Sequence, residues 1–156
     1  MKRLILLIAL LLPIGVMAAE PITSKISDKY GNTDGVTVVN LEGAMLQAMI
    51  ASEADSVEEA AEAAKCLDAL KVITCENKAV SAKLRKDIDK LIKRSNLQSL
   101  IDIPKEGIKI YTHGENGAIT GIIVYVTEEV DVTLVEISGN FPPELMDELL
   151  GTMISM

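Results

Sequence analysis

From Leu97 to Ser138 the chain alternates apolar and polar residues with a period of two, and Asn116-Gly117 sits inside that stretch. Both central positions of a type I′ turn need positive φ, so this dipeptide specifies a tight two-residue hairpin. Four strands follow from the pattern: Leu97 to Ile103, Ile108 to His113, Ile119 to Thr127 and Val130 to Ser138. The turn pairs Glu115 with Ala118, and by extension His113 with Thr120, Tyr111 with Ile122 and Ile110 with Ile123. The loop from Pro104 to Gly107 pairs Ile103 with Ile108, Asp102 with Lys109 and Leu100 with Tyr111. The simplest register of the last turn sets Ile123 beside Leu134 and Ile122 beside Val135.

Paired residues share a face of the sheet. One face then carries Ile101, Ile110, Ile123 and Leu134, with Ile103, Ile108, Tyr125 and Val132, and is the predicted core side. The opposite face carries an Asp102/Lys109 pair, as a solvated side should, and also an apolar row of Leu100, Tyr111, Ile122 and Val135 flanked by Val124 and Ile137. An apolar row on an outer face, with a tyrosine at its centre, is the pattern of a partner site.

Upstream, Thr23 or Ser24 can cap a short helix reaching Lys29, and Gly31 to Gly35 (GNTDG) turns the chain. Val36 to Leu41 is rich in β-branched residues and reads as a strand. Two helical stretches follow, EGAMLQAMI and DSVEEAAEAAKCL, the second with Ser56 and Glu59 at capping-box spacing. Leu70 to Thr74 is the next strand. Strands joined through helices predict a crossover connection with parallel pairing. From its candidate cap Asn77, the segment KAVSAKLRKDIDKLIKR places Val80, Leu84, Ile88, Leu91 and Ile92 on one helix face. The rest of that helix holds seven cations and two acids, a solvated face or a patch for an acidic partner. Pro142 and Pro143 open a closing amphipathic helix with Leu145/Met146, Leu149/Leu150 and Met153/Ile154 as its apolar pairs. Met146, Met153 and Met156 fill a core or form an adaptable edge. The predicted fold is α+β: a mixed, mainly antiparallel sheet, made of a four-strand meander plus a βαβ-type N-terminal part, with helices packed on one face.

The N-terminus reads MKRLILLIALLLPIGVMAAEP: two cations, an apolar run, a Pro-Gly break and small residues. That order is a secretory signal peptide over residues 1–19, leaving 20–156 as a single domain. The apolar stretch is shorter than the roughly 20 residues of a spanning helix, so no stable membrane insertion is expected after cleavage. Without Lys2 and Arg3 the chain has 13 Lys and Arg against 23 Asp and Glu, a net charge of −10. This balance argues against nucleic acid as a partner.

No G-x-S-x-G elbow, Gly-rich phosphate loop or HExxH motif occurs. The single histidine, His113, is placed at a strand end on the outer face between Gln98 and Thr120, with no acid or nucleophile forced near it. A Cys75/His113 nucleophilic pair is not required by any spacing. Cys66 and Cys75 are natural disulfide candidates in an exported chain. Yet a helix ending at Cys66 and a strand from Leu70 to Thr74 set them about 15 Å apart, against a limit of roughly 7 Å between bridged α-carbons. Two cysteines and one histidine are too few for a zinc site of those ligands alone. No catalytic residue, cofactor or metal is therefore predicted. The expected function is that of a non-enzymatic periplasmic or secreted interaction module, binding an envelope protein or a second copy through Leu100, Tyr111, Ile122, Val124 and Val135. The alternative is a small-ligand or envelope-stress sensing domain that uses a cavity between helices and sheet.

The segments DKYGNTDGVTVVNLEGAML, LDALKVITCEN, LRKDIDKLIKR and LVEISGNF, taken in that order, resemble the exported Bacteroidetes proteins grouped as domain of unknown function 4252. The resemblance implies a bacterial envelope location and supplies no catalytic residues. Some members are lipoproteins, whereas this sequence lacks a cysteine at the signal-peptide cut.

Overall fold

Alternating burial along β-branched segments produces six strands, and these form one sheet. The computed structural model describes residues 21–115, 118–144 and 147. In chain order the elements are α1 (Ser24–Tyr30), β1 (Val36–Glu42), α2 (Gly43–Glu53), α3 (Val57–Cys66), β2 (Leu67–Cys75), α4 (Lys78–Arg94), β3 (Gln98–Ile103), β4 (Ile108–Glu115), β5 (Ala118–Glu128) and β6 (Asp131–Phe141). The fold is α+β. The strand order is β1-β2-β6-β5-β4-β3, and every neighbouring pair is antiparallel.

The parallel pairing expected for the N-terminal part is thus corrected. α2 and α3 pack on each other, and β1 leaves the sheet at the end where β2 re-enters it, with Glu42 opposite Ala69. Two helices of 11 and 10 residues cancel each other's rise, so the chain comes back to the end it left. Among the described residues, the helix that carries the chain across the sheet is α4. It links β2 to β3, which lie about 19 Å apart with three strands between them. Its 17 residues, about 25 Å long, span that distance obliquely.

Leu84 and Ile88 are completely buried on the sheet-facing side of α4, and Ser81 lies beside them. They pack with Ile26 and Tyr30 of α1 and with Ile73, Cys75, Ile123, Tyr125, Val132 and Leu134 of the sheet. This is the inner face. A second cluster on the outer face joins Ile110, Ile122 and Phe141 to Leu100, Ile101, Val124, Ile137 and Cys66. Cys66, the last residue of α3, packs against this outer cluster. Both faces of the sheet bury apolar residues: Ile122 and Ile123 are both buried, and adjacent strand residues point to opposite sides.

α4 begins as its sequence suggests. Asn77 Oδ1 accepts the Ala79 N–H at 2.9 Å, and the same residue closes on Gly35, whose φ is +86°. A Cβ at position 35 would stand 2.5 Å from Asn77 Cβ, so glycine is required there by both space and conformation. The predicted signal peptide, the Asn116-Gly117 turn and nearly all of the closing helix lie outside the described residues.

Candidate interaction surfaces

Two β-bulges decide which side chains share a surface. At the β4–β5 end, Glu115 faces Ala118 and Gly114 faces Ile119, but His113 then faces Gly121, leaving Thr120 as an extra residue. Thr120 Oγ1 donates to the His113 carbonyl at 3.5 Å. From there onward Tyr111 pairs with Ile123, and Ile110 with Val124. The hairpin fixes only its first pairs, and a one-residue slip beyond it turns every following side chain over. A second bulge at Leu100 sets Tyr111 opposite Ser99.

The five residues expected in one outer row are consequently divided. Tyr111 lies on the inner face, half-buried against the cluster of α1 and α4. Ile122 is buried in the outer cluster, with Leu100 and Val124 packed there. Val135 is the direct partner of Val124. The register then builds a different row on the outer face: Val39, Val72, Val135, Val124, Ile110 and Ile101, one aliphatic residue per strand from edge to edge. Exposure grows toward one end, from Ile110 at 6% to Val39 at 42%. Sequence reasoning kept Val124 and Val135 of this row, set Ile101 and Ile110 on the opposite, core side because it lacked the bulge at Thr120, and missed Val39 and Val72, which entered the sheet through the misassigned β1–β2 pairing.

His113 also stands elsewhere than expected. It is on the inner face, and its ring lies flat over Gly121, where a Cβ would come within 1.9 Å of Nε2. That Nε2 is buried, makes no hydrogen bond, and sits 3.9 Å from Glu136 Oε2. Glu136 is itself 2% exposed and accepts the N–H groups of Ile22 at 3.0 Å and Thr23 at 2.7 Å. Beside it on β2, Lys71 Nζ reaches Ser24 Oγ and Ser27 Oγ at 3.3 and 3.1 Å. The entry to α1 is thus held on the sheet by a buried carboxylate and a lysine. The signal for Glu136 was present: it continues the inward parity of Val132 and Leu134. Cys75 is far from His113. Its row crosses β6 at Val132, and the row of His113 crosses at Ser138, about 20 Å along the strand. The Cys75 Sγ donates to the Asn77 carbonyl at 3.6 Å, and both cysteines are free thiols.

A second surface lies between α1 and α4. Asp87 Oδ2 accepts from Lys29 Nζ at 2.7 Å and from the Tyr30 hydroxyl at 2.5 Å. These hydrogen bonds, from Lys29 first and then Tyr30, hold the Asp87 carboxyl below its ordinary range. Burial, with the Asp87 hydrogen bond next, pushes the Tyr30 hydroxyl well above its own. Next to this clamp runs a groove of about 560 Å³, with Ile22, Ile26 and Leu91 on its floor and Lys25, Lys90 and Arg94 along it. Arg85 is used structurally, donating to the Glu129 carbonyl at 2.6 Å. Among the described residues no group of three or more His, Cys, Asp and Glu side chains could hold a metal, and no helix is long and apolar enough to cross a membrane.

An α+β domain on a single six-stranded antiparallel sheet is the class that this geometry defines. Over residues 30–149 the chain matches the family described as a domain of unknown function (DUF4252), and it belongs to that family. Neither a curated protein nor a solved structure matches it.

Proposed function

We propose that the chain is a non-enzymatic interaction module of the bacterial envelope, exported by its N-terminal signal peptide, which engages a protein partner through the outer face of its sheet. The supporting observation is the unbroken aliphatic row from Ile101 to Val39, whose most exposed member lies at the sheet edge. A half-covered apolar stripe of this kind gains by being removed from water, at about 25 cal/mol per Å². Converting both Val124 and Val135 to threonine keeps the branched shape and strand preference while making the middle of the row polar. Affinity capture from the organism's envelope fraction should retain a partner with the wild type and lose it with this double variant, both proteins melting within a few degrees of each other. Equal capture by both would sink the reading. Tyr111→Ala, on the inner face, should instead lower stability by about 2 kcal/mol and leave capture unchanged.

The alternative, a small-ligand sensing domain, has one observation in its favour. A recess of about 520 Å³ opens beside His113, lined by Asn96, Gln98, Thr112 and Ile119. Native mass spectrometry of the purified protein tests it, because a co-purifying small molecule released by His113→Ala would move this reading ahead.

A further inference from the structure

The two edges of the sheet are built differently. β3 is six residues long, is bulged at Leu100, carries Asp102 and runs directly into Pro104. Bulges, charges, proline and short length are the devices that keep an edge strand from pairing with another chain. β1, seven residues long with the sequence VTVVNLE, has neither bulge nor proline, and its one charge, Glu42, stands at its end. Thr37, Val39 and Asn40 are exposed on it.

The direction of its backbone groups follows from one hydrogen bond. Gly35 is opposite Glu76 in the β1–β2 register, and the Glu76 N–H donates to the Gly35 carbonyl at 3.1 Å. Antiparallel ladders alternate bonded and non-bonded pairs. Thr37, Val39 and Leu41 therefore turn their N–H and C=O groups toward β2, while Val38 and Asn40 turn theirs to the open side. The Val36 N–H, on that same side, is taken by the Thr33 carbonyl at 3.1 Å. Four backbone groups thus face outward in the middle of the strand, with no partner among the described residues.

We infer that β1 is a self-pairing edge: a second copy of this chain adds its own β1 antiparallel to the first, across a two-fold axis at Val39. In this register Val38 of each copy faces Asn40 of the other, and the two pairs exchange four hydrogen bonds. Val39 meets its own copy in a non-bonded pair, with α-carbons about 4.5 Å apart. The pairing also respects parity. Val39 ends the outer aliphatic row, so the axis joins that row to itself and continues it over twelve strands. Charge is compatible with this axis in a chain of net charge −8. The two Glu42 carboxylates, the strand's only charges, fall six residues apart, about 20 Å and beyond a Debye length at physiological salt. The contact uses edge backbone and stands whether or not the outer face takes another protein.

Cysteine trapping tests both the contact and its register. In a Cys66→Ser background, Val39→Cys should form an intermolecular disulfide under mild oxidation, because its α-carbon spacing lies within the bridging range. Thr37→Cys, whose two copies would stand four residues apart along the strand, should not. Sedimentation of the unmodified protein should give twice the chain mass. Asn40→Pro should give the single chain mass and still unfold cooperatively, at a melting temperature that no longer rises with protein concentration, since the N–H it removes makes no bond to β2. A wild-type protein that sediments as a monomer overturns the inference. So does a dimer that survives Asn40→Pro and is trapped no better at position 39 than at position 37.

Discussion

The imidazole of His113 reaches across β5 to within 3.9 Å of the Glu136 carboxylate, through a gap that exists because residue 121 has no side chain. Glu136 is thereby placed between two chain segments that are distant in sequence. It accepts two N–H groups from the entry to α1 on one side and faces a ring nitrogen on the other.

Glu136→Gln keeps the size of the side chain but replaces one acceptor oxygen by an NH₂ group, which then confronts a backbone N–H. Hydrogen bonds to a buried charged group are worth more than neutral ones, so the expected loss is about 3 kcal/mol. Urea unfolding measures that loss. Hydrogen exchange should show it concentrated at residues 22–30, because α1 loses its attachment to the sheet while its clamp at Asp87 stays intact.

Gly121→Ala should destabilise the protein by about 2 kcal/mol, the cost of forcing a methyl group into occupied space. The overlap is with the His113 ring at 1.9 Å. Removing the ring should remove the penalty, so the Gly121→Ala, His113→Ala double variant should be about as stable as His113→Ala alone. A thermodynamic cycle over the four proteins checks this, and additive losses would contradict the stacking.

Stability should fall at both ends of the pH scale for different reasons. Asp87 has a folded-state pKa below the ordinary carboxylate value, so its contribution is complete above about pH 4 and is lost as pH drops through the lowered pKa. The stability difference between wild type and Asp87→Asn should therefore narrow below pH 4. Tyr125 shifts the other way, pushed up to about 12 chiefly by burial, with Asp89 next. Its contribution is complete below about pH 10 and disappears as pH rises toward 12. An ultraviolet titration of the tyrosinates should show Tyr30 and Tyr125 ionising later than free tyrosine.

Strand positions and the amphipathic α4 were legible because each rests on a local period: two along the strands, and a stripe including Leu84 and Ile88 along the helix. The Asn77 cap was legible for a similar reason, being a preference of one residue for one position. Register was a different kind of information. Asn116-Gly117 fixed the first pair, Glu115 with Ala118, but the extra residue at Thr120 has no composition signature, and it exchanged the faces of Tyr111 and Ile122 relative to each other. The direction of β2 was hidden as well. Whether a 24-residue connection with 21 residues of helix returns a chain to the same end of a sheet depends on whether they form one rod or two, and that rests on packing between α2 and α3. The inward parity of Glu136 follows from that of Val132 and Leu134, but nothing local in the sequence marks the N–H groups of Ile22 and Thr23 as its partners.

The position of β6 between β2 and β5 has a consequence in time. β3 to β6 can assemble from short-range hairpins, whereas the β1–β2 pair joins them only through β6, which begins more than fifty residues after β2 ends. Closing so long a loop is slow relative to hairpin formation. The carboxylate that holds the entry of α1 is carried on the same late strand. A chain synthesised from its N-terminus thus keeps its first half undocked until nearly the last of it has emerged, and the two ends of the domain become native together.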